Sequence, residues 1–591
     1  MSYLYEGTIR SWQGLPLTST ELTVYTNSAG TIPASLMDVD GDAIANPTTT
    51  DDRGIVEVYC AAARLWYKIT GDTRVMRLLR FCDLTQTGVG SVPFVDVVAD
   101  FGADPTGSTD STGEIQDAAD TASAELIFFP SGTYLASGLT ASADGQTWDL
   151  TSGATLRLAD GANTNLVTIT ANNFSIRGGK LDGNAAAQTG GDYTDAVVKV
   201  LGAGNLSLID VEIADAYTTA LYLRRNEAET VAITNATIKG CRIYDCGLGA
   251  MLFSDVDGLV FSGNHVYEWA KDFVAGQQQS GDSCAGLSIW GGFGGNHRWA
   301  FSGNVFTGNA TAVFGIESAS SYTEEVVTDS SFTGNVFDSQ GGRAGGFSGH
   351  FYHCTFSGNT HINGSGGLWS GYELVGRDLV VSGNVIGEGA ICLHGSQPTG
   401  DAGRSYLISG NRVSTSAANG TCISFGTDAG PIYGVSVVGN HLTPTGTGSS
   451  AGIDCGFFGT AGVVTDALIA NNTILGDDTA EGHGIGIYGA AGSTGIVISG
   501  NLVHGRHYDI FVWPWPYEWA DEVTITGNDL RGNGTSLYGF DSVTGTYRIY
   551  QNVLADGQTA LDVTGSRGGN AALADLLTHL AELGLITDSS S

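Results

Sequence analysis

The chain has 591 residues, 42% of them hydrophobic, with 87 glycines and a formal charge of −36 from 25 Lys and Arg against 61 Asp and Glu. That acidity runs along the whole chain without a basic cluster, which excludes a phosphate-backbone partner, so no nucleic acid is expected, while a neutral glycan stays compatible. The glycines lack the three-residue period of collagen and point to many tight turns between short strands, an all-β chain.

Residues 1–14 show no basic segment followed by an apolar one, and no apolar run elsewhere is long enough to span a bilayer. The expectation is a soluble protein made in the cytoplasm, with no membrane insertion. Nine cysteines without paired zinc spacing read as free buried thiols, and no metal or other cofactor is expected.

In chain order, residues 1–82 alternate as short strands on both sides of "DVDGD" (38–42). Gly41 sits at the fourth rather than the sixth position of a calcium loop, and Thr49 stands where a bidentate Glu belongs, so the segment predicts a hairpin turn. Residues 83–96 read as a linker. The stretch 97–135 predicts one helix over 112–124 and then a buried strand, a plug for the open end of a repeat array.

The array is marked by "FSGN" (261–264, 301–304, 356–359) and its variants, with the Asn at 264, 304, 335, 359, 384, 411, 440, 472, 501, 528 and 552. Residues five and three before each Asn, and two after it, are apolar almost every time, as in Leu259/Phe261/Val266, Trp299/Phe301/Phe306, Leu379/Val381/Ile386, Ile496/Ile498/Val503 and Val523/Ile525/Leu530. Running the pattern backwards adds Phe174/Ile176/Leu181, Leu206/Leu208/Ile213 and Ala236/Ile238/Ile243, at least fourteen coils in all.

Alternation on either side of a Gly-Asn corner means two short strands meeting at a turn, and a third strand recurs midway through each coil, as in "GLSIW" (286–290) and "AICLH" (390–394). No coil buries its apolar face alone, so they stack as a parallel β-helix with the Asn corners in a ladder. His361 breaks the apolar column and reads as a buried structural histidine, unless a one-residue slip puts Ile362 inside. The predicted solenoid covers 97–565. Residues 566–591 predict a short helix with Leu573, Leu576, Leu577, Leu580 and Leu583 on one face, too short to stand alone and so packed on copies of itself or on the final coil.

Phe101, Gly102, Ala103, the turn at 104–107, Asp110, Thr112, Ile115 and Ala118, then Phe129, Pro130, Gly132 and Tyr134, resemble the opening of the pectate-lyase-type β-helix of bacteriophage tailspikes and tail fibres. Asp40, Gly41, Asn46, Pro47, Asp51 and Gly54 likewise resemble the small N-terminal β-domain by which such proteins attach to the virion. The resemblance implies a right-handed single-stranded parallel β-helix and a homotrimer in the virion tail. It also implies attachment to other tail or baseplate proteins through residues 1–82, and host surface polysaccharide as the ligand.

Surplus length in a solenoid goes to function, and the longest interval runs from Asn264 to Asn304. Aligning the mid-coil strands places Trp290, Glu317, His350, either Tyr372 or Glu373, and His394 at the exit of successive coils, an exposed stack. With strands ~4.8 Å apart, Glu317 and Glu373 have Cα atoms roughly 10 Å apart with His350 between them. Inverting glycosidases hold their acid and base about 6.5 to 9.5 Å apart, so this pair is the expected catalytic centre. Trp290, His350, Trp369, Tyr372 and His394 are the expected sugar contacts. Glu324, Glu325, Asp272 and Asp282 are equal contenders if the groove lies between chains.

"EGHGIGIYG" (481–489) imitates the Gly-His-Gly of polygalacturonases, but their "NTD" is here "NNT", and Asp477-Asp478 fall in the same coil as His483. It reads as an accident of a Gly-rich strand. "DIFVWPWPYEWADEV" (509–523) suits sugar stacking or a protein contact, with a hydrophobic cover near the C-terminal end as the favoured reading. Whether the protein hydrolyses its glycan, only binds it as an adhesin, or is a structural tail component stays open. A hydrolase is favoured over a lyase, which needs metal ligands the sequence does not cluster.

Overall fold

The computed structural model describes residues 94–554 apart from loop stretches (122–124, 191–193, 272–284, 291–294, 309–313, 319–325, 340–344, 365–370, 396–402, 428–430, 457–462, 477–481, 489–492, 514–520, 533–534 and 539–546, with 227, 229 and 447). Outside that span it describes the backbone of ten short strands. The chain divides into two compact units, Met1–Val95 with Ser123–Leu126, and Asp96–Ala122 with Ile127–Ser591.

In the first unit, Tyr3–Thr8 pairs antiparallel with Ile55–Cys60, and Leu36–Met37 with Ala43–Ile44. The second pairing joins the residues flanking 38–42, as a hairpin there requires; the five link residues lie outside those described. Glu21–Tyr25 and Leu65–Ile69 form the centre of a second antiparallel sheet.

The second unit opens with the helix Thr112–Ala119, which buries Ile115, Ala118 and Ala119 against the first coil. Gln116 clips it there, its amide donating to the Thr140 carbonyl at 3.0 Å and its oxygen accepting the Thr140 N–H at 2.8 Å. The helix is shorter than 112–124. The Thr121 hydroxyl bonds back to the Asp117 carbonyl, and the Gln146 amide takes the Ala119 carbonyl, so the last turn is satisfied by side chains rather than by further helix. In the turn before it, the hydroxyls of Thr106 and Ser108 donate to Asp104 and hold its carboxyl well below the usual range. Phe129 and Tyr134 are fully buried beneath this plug.

Beyond it, each coil contributes strands to three parallel ladders: one entering the Asn corner, one leaving it, and one at mid-coil. Among the described residues the leaving ladder alone runs through 17 strands. The apolar positions of the repeat fill the interior, where Phe261, Phe301, Phe332 and Phe356 stack from coil to coil at 4.7 to 5.4 Å. His361 occupies its column without a slip, paired with Phe337 on one side and Ile386 on the other, fully buried and 2.7 Å from the Ser339 hydroxyl. Ile362 faces out.

Gly and Asn divide the corner between them. The left-handed backbone belongs to the residue before the marker, as in Gly303 (φ 64°) and Gly383 (φ 64°), and the Asn itself turns inward. Where the sequence reads Asn-Asn, Asn471 takes the left-handed position (φ 54°) and Asn472 the buried one. From Asn264 to Asn552 each side chain donates to the next Asn's oxygen at 2.8 to 3.0 Å. A buried amide is tolerated only when both its ends are used, and here each oxygen also accepts a backbone N–H, as Asn384 does from Asn359. Cys241 stands at the head of this ladder. Its N–H donates to Asn264, and its thiol, pushed up to about 11 by burial, points at the Leu208 carbonyl.

The six described cysteines are free, five buried and Cys392 half-buried. Among the described residues no helix is long and apolar enough to cross a membrane. The predicted C-terminal helix lies outside the described residues, between Leu561–Val563 and Ile586–Asp588, which pair in parallel.

Candidate functional site

The mid-coil ladder positions the candidate residues. Its strands alternate, so Leu287, Ile316, Phe347, Tyr372, Ile391, Ile423 and Ile453 line up toward the core. The neighbouring register faces outward and reads Ser288, Glu317, Ser348, Glu373, Cys392, Ser424, Asp454. Glu317 and Glu373 therefore stand two strands apart on one outward line, as the repeat predicts. The residue between them is Ser348, not His350.

His350 lies two residues further along its strand, in a parallel line with Val375 and His394. Gly345–Tyr352 is eight residues long, so its outward face offers both Ser348 and His350, and only pairing decides which one meets Glu317. Tyr372 corrects the other expectation. It is 2% exposed, and its hydroxyl donates to Asn384 at 3.2 Å, so it is a core residue and no sugar contact.

Glu373 is half-buried, and removal of water raises its carboxyl above the usual range, with the Ser348 hydroxyl pulling the other way. His394 Nε2 lies 3.7 Å from its Oε1. Burial also lowers the His350 imidazole, which favours its neutral form. Trp290 is half-buried against an outer apolar cluster of Ala196, Leu201, Tyr222 and Leu252, so it packs on the face of the ladder just before Glu317. Trp369, Glu324, Glu325, Asp272 and Asp282 lie outside the described residues, as do residues 514–520 of the Trp-rich stretch.

The outward line carries a third carboxylate that the sequence reading passed over. Asp454 stands three strands beyond Glu373, accepts from the Thr421 hydroxyl at 2.7 Å and pairs with His483 at 2.6 Å. The pair sits over Gly486, whose absent side chain leaves room for it, and the His483 ring stacks on Phe511 at 5.3 Å. Both partners are at most 3% exposed, which makes this a structural bridge under the line rather than an open site. The signal was present in "AGIDC" (451–455), a mid-coil strand whose third and fifth residues are apolar.

The chemistry on offer is that of two carboxyls on one outward line, one of them raised by burial above the usual carboxylate range and standing beside a hydroxyl and an imidazole. A protonated carboxyl can give its proton to a leaving oxygen, and a second carboxylate roughly 10 Å away along the ladder can activate water. Among the described residues no three His, Cys, Asp or Glu side chains converge as metal ligands would.

Residues 94–334 match the family model of rhamnogalacturonase A/epimerase, pectate lyase-like; the match takes in Trp290 and Glu317 and ends before His350 and Glu373. No curated protein sequence matches the chain. Among solved structures, the pre-mature gene product 12 of bacteriophage phi29 is 15% identical with a TM-score of 0.48, over 80% of this chain and 60% of that one. The A-module of mannuronan C-5 epimerase AlgE6 from Azotobacter vinelandii is 16% identical with a TM-score of 0.36, over 78% and 99%. PfbA, a surface adhesin of Streptococcus pneumoniae, is 13% identical with a TM-score of 0.35, over 75% and 91%.

Proposed function

We propose that this protein is a phage tail component that binds a host surface polysaccharide along the outward face of its mid-coil ladder and hydrolyses it with Glu373 and Glu317. The observation that carries the reading is the register Glu317–Ser348–Glu373, which puts two carboxyls on one face at a spacing suited to inversion. Glu373 is the acid, because burial raises its carboxyl above the usual range and so favours its protonated form. Glu317 is the base, with water between it and the sugar. His394 and His350 border the acid and orient the glycan. Residues 1–82 are the attachment to the tail.

The test is to incubate the full chain with envelope glycan of candidate hosts and analyse the products. New reducing ends without unsaturated sugars support hydrolysis, and the rate should fall as pH rises through the raised Glu373 value. Unsaturated products would replace hydrolysis by elimination. Glycan binding with no release would leave an adhesin, and no binding to any glycan would end the reading.

A further inference from the structure

The mid-coil strands that carry Glu317 and Glu373 are poorer in cations than the chain around them. The nine strands from Leu287–Trp290 to Tyr508–Trp513 hold four acidic residues, Glu317, Glu373, Asp454 and Asp509, and one Arg or Lys, Arg377. Asp454 and Asp509 are buried, so the outward charge on these strands is that of the two glutamates. By sequence alone, the stretches outside the described residues that flank these strands, between 272 and 520, add ten Asp or Glu and one cation, Arg343. Sixteen charges at the chain's own ratio of 25 basic to 61 acidic would include four or five cations, against two here.

The cations nearest the outward line stand away from its carboxyls. Arg377 lies four residues beyond Glu373, ~13 Å along the strand, over the Tyr352 ring at 5.9 Å. In the register Lys199–Tyr222–Leu252–Ser288–Glu317, Lys199 lies four strands before Glu317, ~19 Å away, and over the Tyr222 ring at 5.7 Å. Other cations of the solenoid are committed to ion pairs off this face: Lys180 with Asp215 at 2.8 Å, Arg242 with Glu212 at 2.8 Å, and Arg298 with Asp257 at 2.6 Å.

We infer that the polysaccharide cut on this face is uncharged: its repeat carries hydroxyl and amide groups and no uronate, sialate or phosphate. The inference rests on the reading of this face as the hydrolytic site, and narrows it. A carboxylate accepts hydrogen bonds and donates none, so Glu317 takes the hydroxyl or amide N–H groups of a sugar and repels another acid. Acidic sugars are recognised by Arg and Lys, which this line lacks, and like charges set against each other select against the wrong partner. The field of a chain at −36 acts in the same direction.

The experiment measures affinity and reducing-end release for the full chain on host envelope glycans of known repeat. The glycan bound most tightly is then measured with about a tenth of its hydroxyls carboxymethylated or, as an uncharged control of similar bulk, hydroxyethylated. The glycan bound and cut should have a neutral repeat. Carboxymethylation should weaken binding at least tenfold more than hydroxyethylation at 20 mM salt, and 500 mM salt should restore most of that difference. Val375→Lys, which places a cation between His350 and His394 in the register, should also recover binding of the carboxymethylated polymer at low salt. An acidic repeat bound and cut, equal losses for the two derivatives, a difference that salt leaves unchanged, or no recovery by a folded Val375→Lys overturns the inference while hydrolysis stands. If that variant does not fold, the salt response of wild type decides. Binding to no glycan ends the hydrolytic reading, and the inference with it.

Discussion

Replacing Asn384 by Ala tests whether the Asn ladder holds the solenoid together or merely decorates its corner. The Asn384 oxygen accepts the Asn359 N–H at 2.9 Å, the Asn359 side-chain amide at 3.0 Å and the Tyr372 hydroxyl at 3.2 Å. Its own amide serves the Phe356 carbonyl at 3.0 Å and Asn411 at 2.9 Å. Alanine would orphan three buried donors, each costing about 1–3 kcal/mol. The Tyr372 hydroxyl can swing to another acceptor, so the sum falls in the lower half of the three-donor range of about 3–9 kcal/mol, at about 4 kcal/mol.

A repeat protein unfolds in segments, so the loss should be read locally by native-state hydrogen exchange rather than from one melting temperature. The amides of Thr355–Ser357 and Leu379–Ser382 should lose about a thousandfold of their protection, the equivalent of 4 kcal/mol at 1.36 per decade. Asn552, half-buried at the end of the ladder, is the control. Water can replace what it provides to Asn528, and Asn552→Ala should cost about 1 kcal/mol. Equal costs at the two positions, or less than about 1 kcal/mol at Asn384, would refute the claim that the ladder's worth lies in buried, mutually satisfied amides.

Gly383 and Gly376 should respond differently to alanine. At Gly383 nothing lies within 4 Å of the added carbon, so only its φ of 64° is penalised, by about 1–2 kcal/mol in a thermal or denaturant melt. At Gly376 the carbon would meet the Phe351 carbonyl at 1.6 Å, which must part Gly345–Tyr352 from Gly371–Arg377 and abolish any activity that needs the Ser348–Glu373 register. Asp509 is 1% exposed, and burial pushes its carboxyl up to about 7. Its folded form therefore holds a proton that the unfolded chain releases near pH 4, so its contribution is full below pH 4 and is lost as pH rises to about 7. Local stability around Tyr508–Trp513 should fall by a few kcal/mol across that window in wild type, and the fall should be absent from Asp509→Asn. The same slope in both would assign the pH dependence elsewhere.

The solenoid was legible because its core repeats: apolar residues at fixed offsets from each Asn need no tertiary information. The site was legible only to within one alternation. Both Tyr372 and Glu373 fit an outward position until the tyrosine's reach to Asn384 places it inside. Ser348 and His350 are equally outward on a long strand, and only the pairing of Glu317 with Ser348 separates them. Gly and Asn both tolerate the left-handed corner, so the sequence alone left that role shared. The ladder's need for a buried amide at each coil assigns it to the residue before the marker, Gly in most coils and Asn471 in one. Asp454 was missed because its strand, "AGIDC", presents the carboxylate between Ile453 and Cys455 and reads as core.

The most direct measurement is the rate of reducing-end release from the glycan that the protein binds, for wild type, Glu373→Gln and Glu317→Gln, with glycan affinity measured alongside. Loss of a general acid or base should lower the rate by about 10²–10⁴ in either variant, with affinity within a few-fold of wild type. Undiminished release by Glu373→Gln would contradict the assignment of this outward line as the catalytic centre.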